Sequence, residues 1–285
     1  MNKIFESLKL LGLSSKKTKK LFSSRTRDNE NVNVWKDSIS GVIFIDDFYT
    51  EAKEYNSGNY RSGLNKPSYE SQKDLERRLA EYKQFYSDSI ICDFGCGAGD
   101  FIRHASKYAN EVAAVELQDV HFKSLNKDGI PCTKDILKHD ESFDAVFAFH
   151  TLEHLEDPLK CLKDIKSKIS GNGKIIVEVP HANDILLSSL FVQEFKDFTL
   201  WSPHLLLHTR DSLHKFLIEA GFKDIIITGV QRYSLSNHLY WLHQGKPGGH
   251  KHDLSIIDSP FLHKEYENSL NKINQTDTLV AIASV

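Results

Sequence analysis

The sequence contains no long apolar run. No stretch is long and apolar enough to span a bilayer, so no transmembrane segment is expected. Residues Met1 to Leu13 carry Lys3, Glu6 and Lys9 and lack the apolar core of a secretory signal. Cysteine is sparse: Cys92, Cys96, Cys132 and Cys161 are scattered, and Cys92-x-x-x-Cys96 has no second pair to complete a zinc site. No metal is expected, and the thiols read as reduced and structural in a cytoplasmic protein. There is no excess of charge either. The 36 Lys and Arg against 39 Asp and Glu leave a net charge of −3, which gives no global attraction to nucleic acid, and no nucleic-acid partner is expected. No internal repeat is present.

What is present is ordinary for a soluble globular chain: 40% hydrophobic and 26% charged residues. Residues 1–65 read as a basic arm followed by a small hairpin, and 66–285 as the main domain. Lys16, Lys17, Lys19, Lys20, Arg25 and Arg27 predict a solvated, loosely ordered arm, with weak contact to an anionic surface as the alternative. Ile4, Phe5, Leu8 and Leu11 share one helical face, for packing on the body or an oligomer contact, or for peripheral membrane contact. The sequence does not set the oligomeric state. Val32, Val34 and Trp35 with Val42-Ile43-Phe44-Ile45 suggest a short hairpin, and Tyr69, Leu75, Leu79, Tyr82 and Phe85 repeat at helical spacing.

From Ser89 onward strands alternate with helices. Strands are expected at 89–94, 111–116, 131–134, 143–149 and 174–179, then at 225–228 and 278–283, with helices near 99–109, 118–128, 157–169, 183–196 and 210–220. That alternation predicts an α/β fold with a parallel sheet covered on both faces, and the apolar run Phe143 to Phe149 is its central strand. Residues 181–263 interrupt the pattern, hold nine of the 14 His, and read as lid or substrate-wall elements.

Ligands of such sheets bind beyond the carboxyl ends of the strands. The first strand runs into Asp93-Phe94-Gly95-Cys96-Gly97-Ala98-Gly99. This G-x-G-x-G spacing differs from the G-x-G-x-x-G that seats a pyrophosphate, and an Asp before it suits a ligand with a charged amine, such as S-adenosylmethionine (SAM). The second strand ends at Glu116, an acid able to accept from both hydroxyls of a ribose. The third ends at Asp135, for an exocyclic amine, with Ile136 as an apolar face for a purine. The fourth ends at His150-Thr151-Leu152-Glu153-His154.

Together with Phe143-Asp144-Ala145-Val146 and Leu155-Glu156-Asp157-Pro158, these segments resemble the class I SAM-dependent methyltransferases, over roughly residues 89–230. The resemblance implies a Rossmann-like, mostly parallel seven-stranded sheet with helices on both faces. Its last strand is antiparallel and inserted between the fifth and sixth, and a C-terminal lid insertion accompanies it. It implies a SAM site in which Gly95, Cys96, Gly97 and Gly99 flank the methionine moiety. Glu116 and Leu117 then meet the ribose, Asp135 and Ile136 the adenine, and Phe149 and His150 the sulfonium and carboxylate tail. Tyr60-Arg61 is a further candidate for that carboxylate.

Trp201 to Leu213, followed by Ala220-Gly221-Phe222, is similar to a segment of sugar and other small-molecule methyltransferases. In sugar C-methyltransferases it carries a Tyr, a Glu and a His. His204 matches the His, but Trp201 and Pro203 stand where Tyr and Glu would be, which favours an O-methyl acceptor with His204 as general base. His150, His154 and His208 are the other candidate bases, His154 first among them. Trp35 to Phe44 resembles the segment after a zinc ribbon in some relatives, here without the Cys ligands. Arg232, Asn237, His238 and Lys246, beside Tyr233, Tyr240 and Trp241, are the expected acceptor contacts. The expected acceptor is a carbohydrate-like anion: a sugar acid, a nucleotide sugar or a phosphorylated glycan end. C- or N-methylation of another small molecule, and a catalytically silent SAM-binding module, remain as alternatives.

Overall fold

A computed structural model describes residues 3–47 and 69–285. The elements in chain order are α1 (Ile4–Leu10), β1 (Lys19–Ser23), β2 (Val34–Asp37), β3 (Ile43–Phe44), α2 (Tyr69–Glu81), α3 (Lys83–Tyr86), β4 (Ile90–Phe94), α4 (Asp100–Ala105), β5 (Glu111–Val115), α5 (Asp119–Lys127), β6 (Cys132–Thr133), β7 (Phe143–Phe149), α6 (Pro158–Ser167), β8 (Ile169–Pro180), α7 (Gln193–Thr199), β9 (Leu206–Leu207), α8 (Arg210–Glu219), β10 (Lys223–Val230), α9 (Leu235–Gln244), α10 (Pro260–Lys272) and β11 (Thr278–Ser284).

Seven strands form the main sheet in the order β10-β11-β8-β7-β4-β5-β6. β4, β5, β6, β7 and β8 run parallel. β11 lies antiparallel between β8 and β10, the fifth and sixth strands of this sheet in chain order, as the resemblance implies. β7 is central because it can afford no wet face: in Phe143-Asp144-Ala145-Val146-Phe147-Ala148-Phe149 only Asp144 is exposed. Val146 and Ala148 point into a core shared with Leu162 and Phe216, while Ala145 and Phe147 point into a second core with Phe101, Tyr82 and Leu125. Local chemistry sets the helix starts. Asp157 accepts from the Lys160 N–H, ahead of Pro158 in the first turn of α6, and Thr209 and Ser212 form a reciprocal capping box on α8.

The N-terminal region differs from expectation. Its β1-β2-β3-β9 sheet is antiparallel, and β9 comes from the far half of the chain, with Ile43 opposite Leu207 and Phe44 opposite Leu206. Residues 3–30 do not form a loose arm. Ile4 and Leu8 are fully buried, and Phe5 stacks on Phe44 with ring centroids 5.8 Å apart. The apolar face of α1 is therefore covered by the protein itself, which removes the surface a membrane contact would use. Lys19 is drawn inward too, over the Trp35 ring at 4.0 Å and paired with Asp46.

A second difference lies at 183–196, where a helix was expected. The chain turns instead, because its polar groups are bound elsewhere. Ala182 N–H donates to the His208 carbonyl, Ile185 N–H to the Gln275 carbonyl, and Leu186 N–H to the Asp184 side chain. Only α7, at 193–199, becomes helical. The interruption at 181–263 thus divides into two parts, 181–209 and 231–259, on either side of the regular α8 and β10.

Candidate active site

The donor end of the site is built at the carboxyl ends of β4, β5 and β7. Beyond Phe94 the backbone turns through Gly95, Gly97 and Gly99, with φ of +74°, +56° and +80°. A Cβ at Gly95 would lie 2.4 Å from the Thr151 side chain, so this glycine serves internal packing. A Cβ at Gly97 would meet nothing within 4 Å, so this backbone is open to a ligand. The Glu116 carboxylate holds the loop, accepting from the N–H groups of Gly97 and Gln118, both at 2.7 Å.

Asp93 is buried beneath the loop, and burial, against the opposing charge of Arg78, pushes its carboxyl up to about 7. Cys96 is half-buried within the loop, and Leu117 remains partly exposed beside Glu116. Asp135 is exposed and accepts from the Leu137 N–H at 3.0 Å, and Ile136 behind it is buried. His150 has φ of +49°, and its N–H donates to the Glu178 carbonyl at 2.9 Å. Its Nδ1 lies 3.2 Å from Glu153 Oε1, while its Nε2 is buried without a hydrogen-bond partner among the described residues. Burial, followed by the charges of Arg232 and Arg78, holds this imidazole well below its ordinary range, so it is neutral.

These features fit SAM. A loop without Cβ cover at Gly97, carboxylates at three strand ends and an orphaned polar atom on His150 match a ligand with an amine, a ribose, an adenine and a carboxylate.

Two residues of this end escaped sequence reasoning. Glu178, fully buried near the end of β8, binds Arg77, Arg78 and the Tyr82 hydroxyl of the α2–α3 segment at 2.7–2.9 Å. Burial works to raise its carboxyl, but Arg78 and Arg77 outweigh that and hold it well below the usual range. Arg78 also stands 4.3 Å over the Phe149 ring. The signal was there: a lone acid inside the apolar run Ile175-Ile176-Val177-Glu178-Val179, and paired Arg on an amphipathic helix. The Tyr60-Arg61 candidate lies outside the described residues.

The acceptor end joins two distant segments. Leu152–His154 form a 3₁₀ turn after β7, and the 201–205 loop crosses it. Leu205 N–H donates to the Glu153 carbonyl at 2.7 Å, and His154 Nδ1 donates to the Pro203 carbonyl at 2.9 Å. The His154 and His204 rings lie 4.9 Å apart, and the His204 and Trp201 rings 5.1 Å apart. The N-terminal region clamps this loop: Asp28 accepts from the Ser202 N–H and hydroxyl at 3.0 and 2.7 Å, and Arg27 stacks over Trp201 at 4.6 Å. His208 is not part of this cluster. It is buried, bonded to Ser212 Oγ at 3.0 Å, and burial pushes it down to about 3.

The expected acceptor contacts are mostly committed to the protein itself. The Arg232 guanidinium is taken up by both oxygens of Asp74. Asn237 accepts from the Gly248 N–H at 2.8 Å, and His238 lies between Tyr266 and Gln231. Lys246 is exposed. Buried polar groups need partners of their own, and here the C-terminal segment supplies them.

No helix among the described residues is long and apolar enough to cross a membrane. The sequence model of a methyltransferase-domain family matches residues 69–226, more than half of the chain. A tRNA U34 carboxymethyltransferase of Nautilia profundicola is 26% identical over 119 residues, 41% of this chain and 35% of that protein. An uncharacterized protein of Methanocaldococcus jannaschii is 26% identical over 144 residues, 50% of this chain and 59% of its own length. The chain thus spans less than two thirds of either relative. Among solved structures, a SAM-dependent methyltransferase from Archaeoglobus fulgidus superposes with a TM-score of 0.50 at 18% identity, covering 82% of this chain and 99% of that one. Magnesium protoporphyrin IX methyltransferase from Synechocystis does so with a TM-score of 0.51 at 11% identity, covering 82% and 98%. At such identities these likenesses speak for the fold. The matched family shows that the chain belongs to the methyltransferase-domain family, and its fold is that of the class I SAM-dependent methyltransferases.

Proposed function

We propose that the protein methylates an oxygen of a carbohydrate-like, anionic acceptor, with His204 taking the proton of the acceptor hydroxyl. When bound, SAM supplies a methyl group already activated on a sulfonium. The chain's own residues have to hold, align and desolvate. Gly97 and Glu116 would seat the amino-acid tail and ribose, Asp93 the charged amine, and Asp135 with Ile136 the adenine. Phe149 and His150 form the wall between donor and acceptor ends.

The observation that carries the proposal is the packing of His204 on His154 directly after β7. His154 Nδ1 keeps its proton on the Pro203 carbonyl, which turns the basic Nε2 away from that contact. His204 is half-buried and therefore within reach of an acceptor. Recognition of a sugar-like anion is better supported by Trp201 and Arg27 than by Arg232. An indole offers a sugar face, and the exposed guanidinium stacked on it, which also donates to the Phe198 carbonyl at 3.3 Å, offers a positive charge for carboxylate or phosphate. Lys246 adds an exposed cation. The net charge of −3 gives no general attraction to an RNA acceptor such as that named for the Nautilia relative.

A SAM-turnover screen against sugar acids, nucleotide sugars and glycan fragments, with mass detection of the added methyl, tests this. A gain of one methyl on oxygen in a charged sugar is expected. Methylation on carbon or nitrogen would overturn the oxygen acceptor, and tight SAM binding without turnover on any acceptor would leave a silent binding module.

A further inference from the structure

The acceptor end has a second chemical capacity. Glu153, His154 and His204 each bring one ligand atom to a common point, and these atoms lie within 4.8 Å of one another. Glu153 has no exposure, His154 is 9% exposed, and His204 is half-buried. Two imidazole nitrogens and one carboxylate oxygen are the donor set of three-ligand sites for first-row divalent cations, which leave a position open.

The surroundings are arranged as such a site requires. A ligating imidazole normally donates its other ring N–H to a carbonyl or carboxylate, which fixes the tautomer and aims the lone pair. His154 does so through Nδ1 to Pro203. The Leu205 N–H on the Glu153 carbonyl fastens the two segments by backbone, and the His204 N–H on the Trp201 carbonyl at 2.9 Å closes the loop on itself. The loop is fastened again from outside by Asp28 on Ser202. Ligand atoms on a tetrahedral ion with bonds of about 2.1 Å sit roughly 3.4 Å apart, so the cluster closes by a small side-chain rotation. His204, the least buried of the three, is the one able to make it.

We infer that Glu153, His154 and His204 form a binding site for one divalent first-row cation, with an open position for an oxygen of the acceptor. This rests on the hydroxyl acceptor of the reading given above and replaces the role that reading gives His204. With the cation in place, the acceptor oxygen binds the ion, the hydroxyl's pKa falls, and its proton leaves to solvent. His204 then serves as ligand rather than proton acceptor.

The test is a titration of the tag-free, chelator-stripped full chain with Zn²⁺ by calorimetry, and with Co²⁺ by visible absorption, with S-adenosylhomocysteine present. One equivalent should bind. His204→Ala and Glu153→Gln should each weaken binding at least about tenfold, and His104→Ala, on the exposed face of α4, should not. Should Glu153→Gln not fold, His204→Ala carries the test, with retained S-adenosylhomocysteine binding as evidence of its fold. No saturable binding by the wild type, or equal binding by His204→Ala, would overturn the site. The two proposals fail separately. Cation binding without methyl transfer to charged sugars defeats only the acceptor assignment. Turnover that depends on His204 with no cation bound defeats only the metal site.

Discussion

The donor and acceptor ends of the site are built on different principles. At the donor end, Asp93, Gly95, Gly97 and Glu116 lie within one strand-helix-strand unit, and the contact between Glu116 and Gly97 is made across neighbouring parallel strands. At the acceptor end, Glu153 and His154 meet residues 201–205, and that loop is held in turn by Asp28 and Arg27 from the N-terminal region. A ligand common to many enzymes can be held by a short, self-contained motif. A particular acceptor needs a wall assembled from distant parts, and here the small antiparallel sheet, with β9 paired to β3, ties those parts together.

This comparison can be broken by substitution. The largest expected effect is at Asp93: Asp93→Ala should abolish SAM binding by calorimetry, and unchanged affinity would refute the donor assignment. Next, His204→Ala should lower turnover by about 10²–10⁴-fold, whether the imidazole acts as base or as ligand. Wild-type turnover in that variant would move the role to His154. Gly95→Ala follows. With φ of +74° and a Cβ 2.4 Å from Thr151, it should destabilise the fold by about 2–4 kcal/mol in urea unfolding and weaken SAM binding with it. A loss under about 0.5 kcal/mol would show that the loop yields.

The smallest effect is one of pH. Asp93, raised to about 7, must lose its proton to bind a cationic amine. SAM affinity should therefore rise with pH up to about 7 and level off above it, changing by at most about tenfold per unit below. His150, held neutral, should not add to that slope. A flat profile between pH 6 and 8 would show that Asp93 is charged throughout.

The two ends also differ in how far they were legible in the sequence. The strands carrying Asp93, Glu116 and Phe149 stand where their apolar patterns put them, because a buried parallel strand has no freedom to be polar. The glycines were legible because three left-handed φ values in five residues favour them. The antiparallel placement of β11 came from family resemblance, since no local pattern encodes strand order. The 183–196 helix failed because side chains such as Asp184 bind backbone that a helix would need. The apolar face of α1 was legible and packs against Phe44, but the basic run after it was misread because partners such as Trp35 and Asp46, which hold Lys19, come from later in the chain. The Arg232 expectation treated an Arg as available, when its partner Asp74 lies 158 residues away. The meeting of Glu153 and His154 with His204 is of the same non-local kind. His204 and His154 were each legible as candidate bases, but nothing in the sequence announced that they would meet, with Glu153 beside them.

The most direct test of the separation between the two ends is the SAM dissociation constant of His204→Ala, measured by calorimetry beside the wild type. Independent ends predict a value within about twofold of wild type, as sites without shared partners usually behave. A loss of SAM affinity as deep as that expected for Asp93→Ala would contradict the account, by showing that His204 belongs to the donor end.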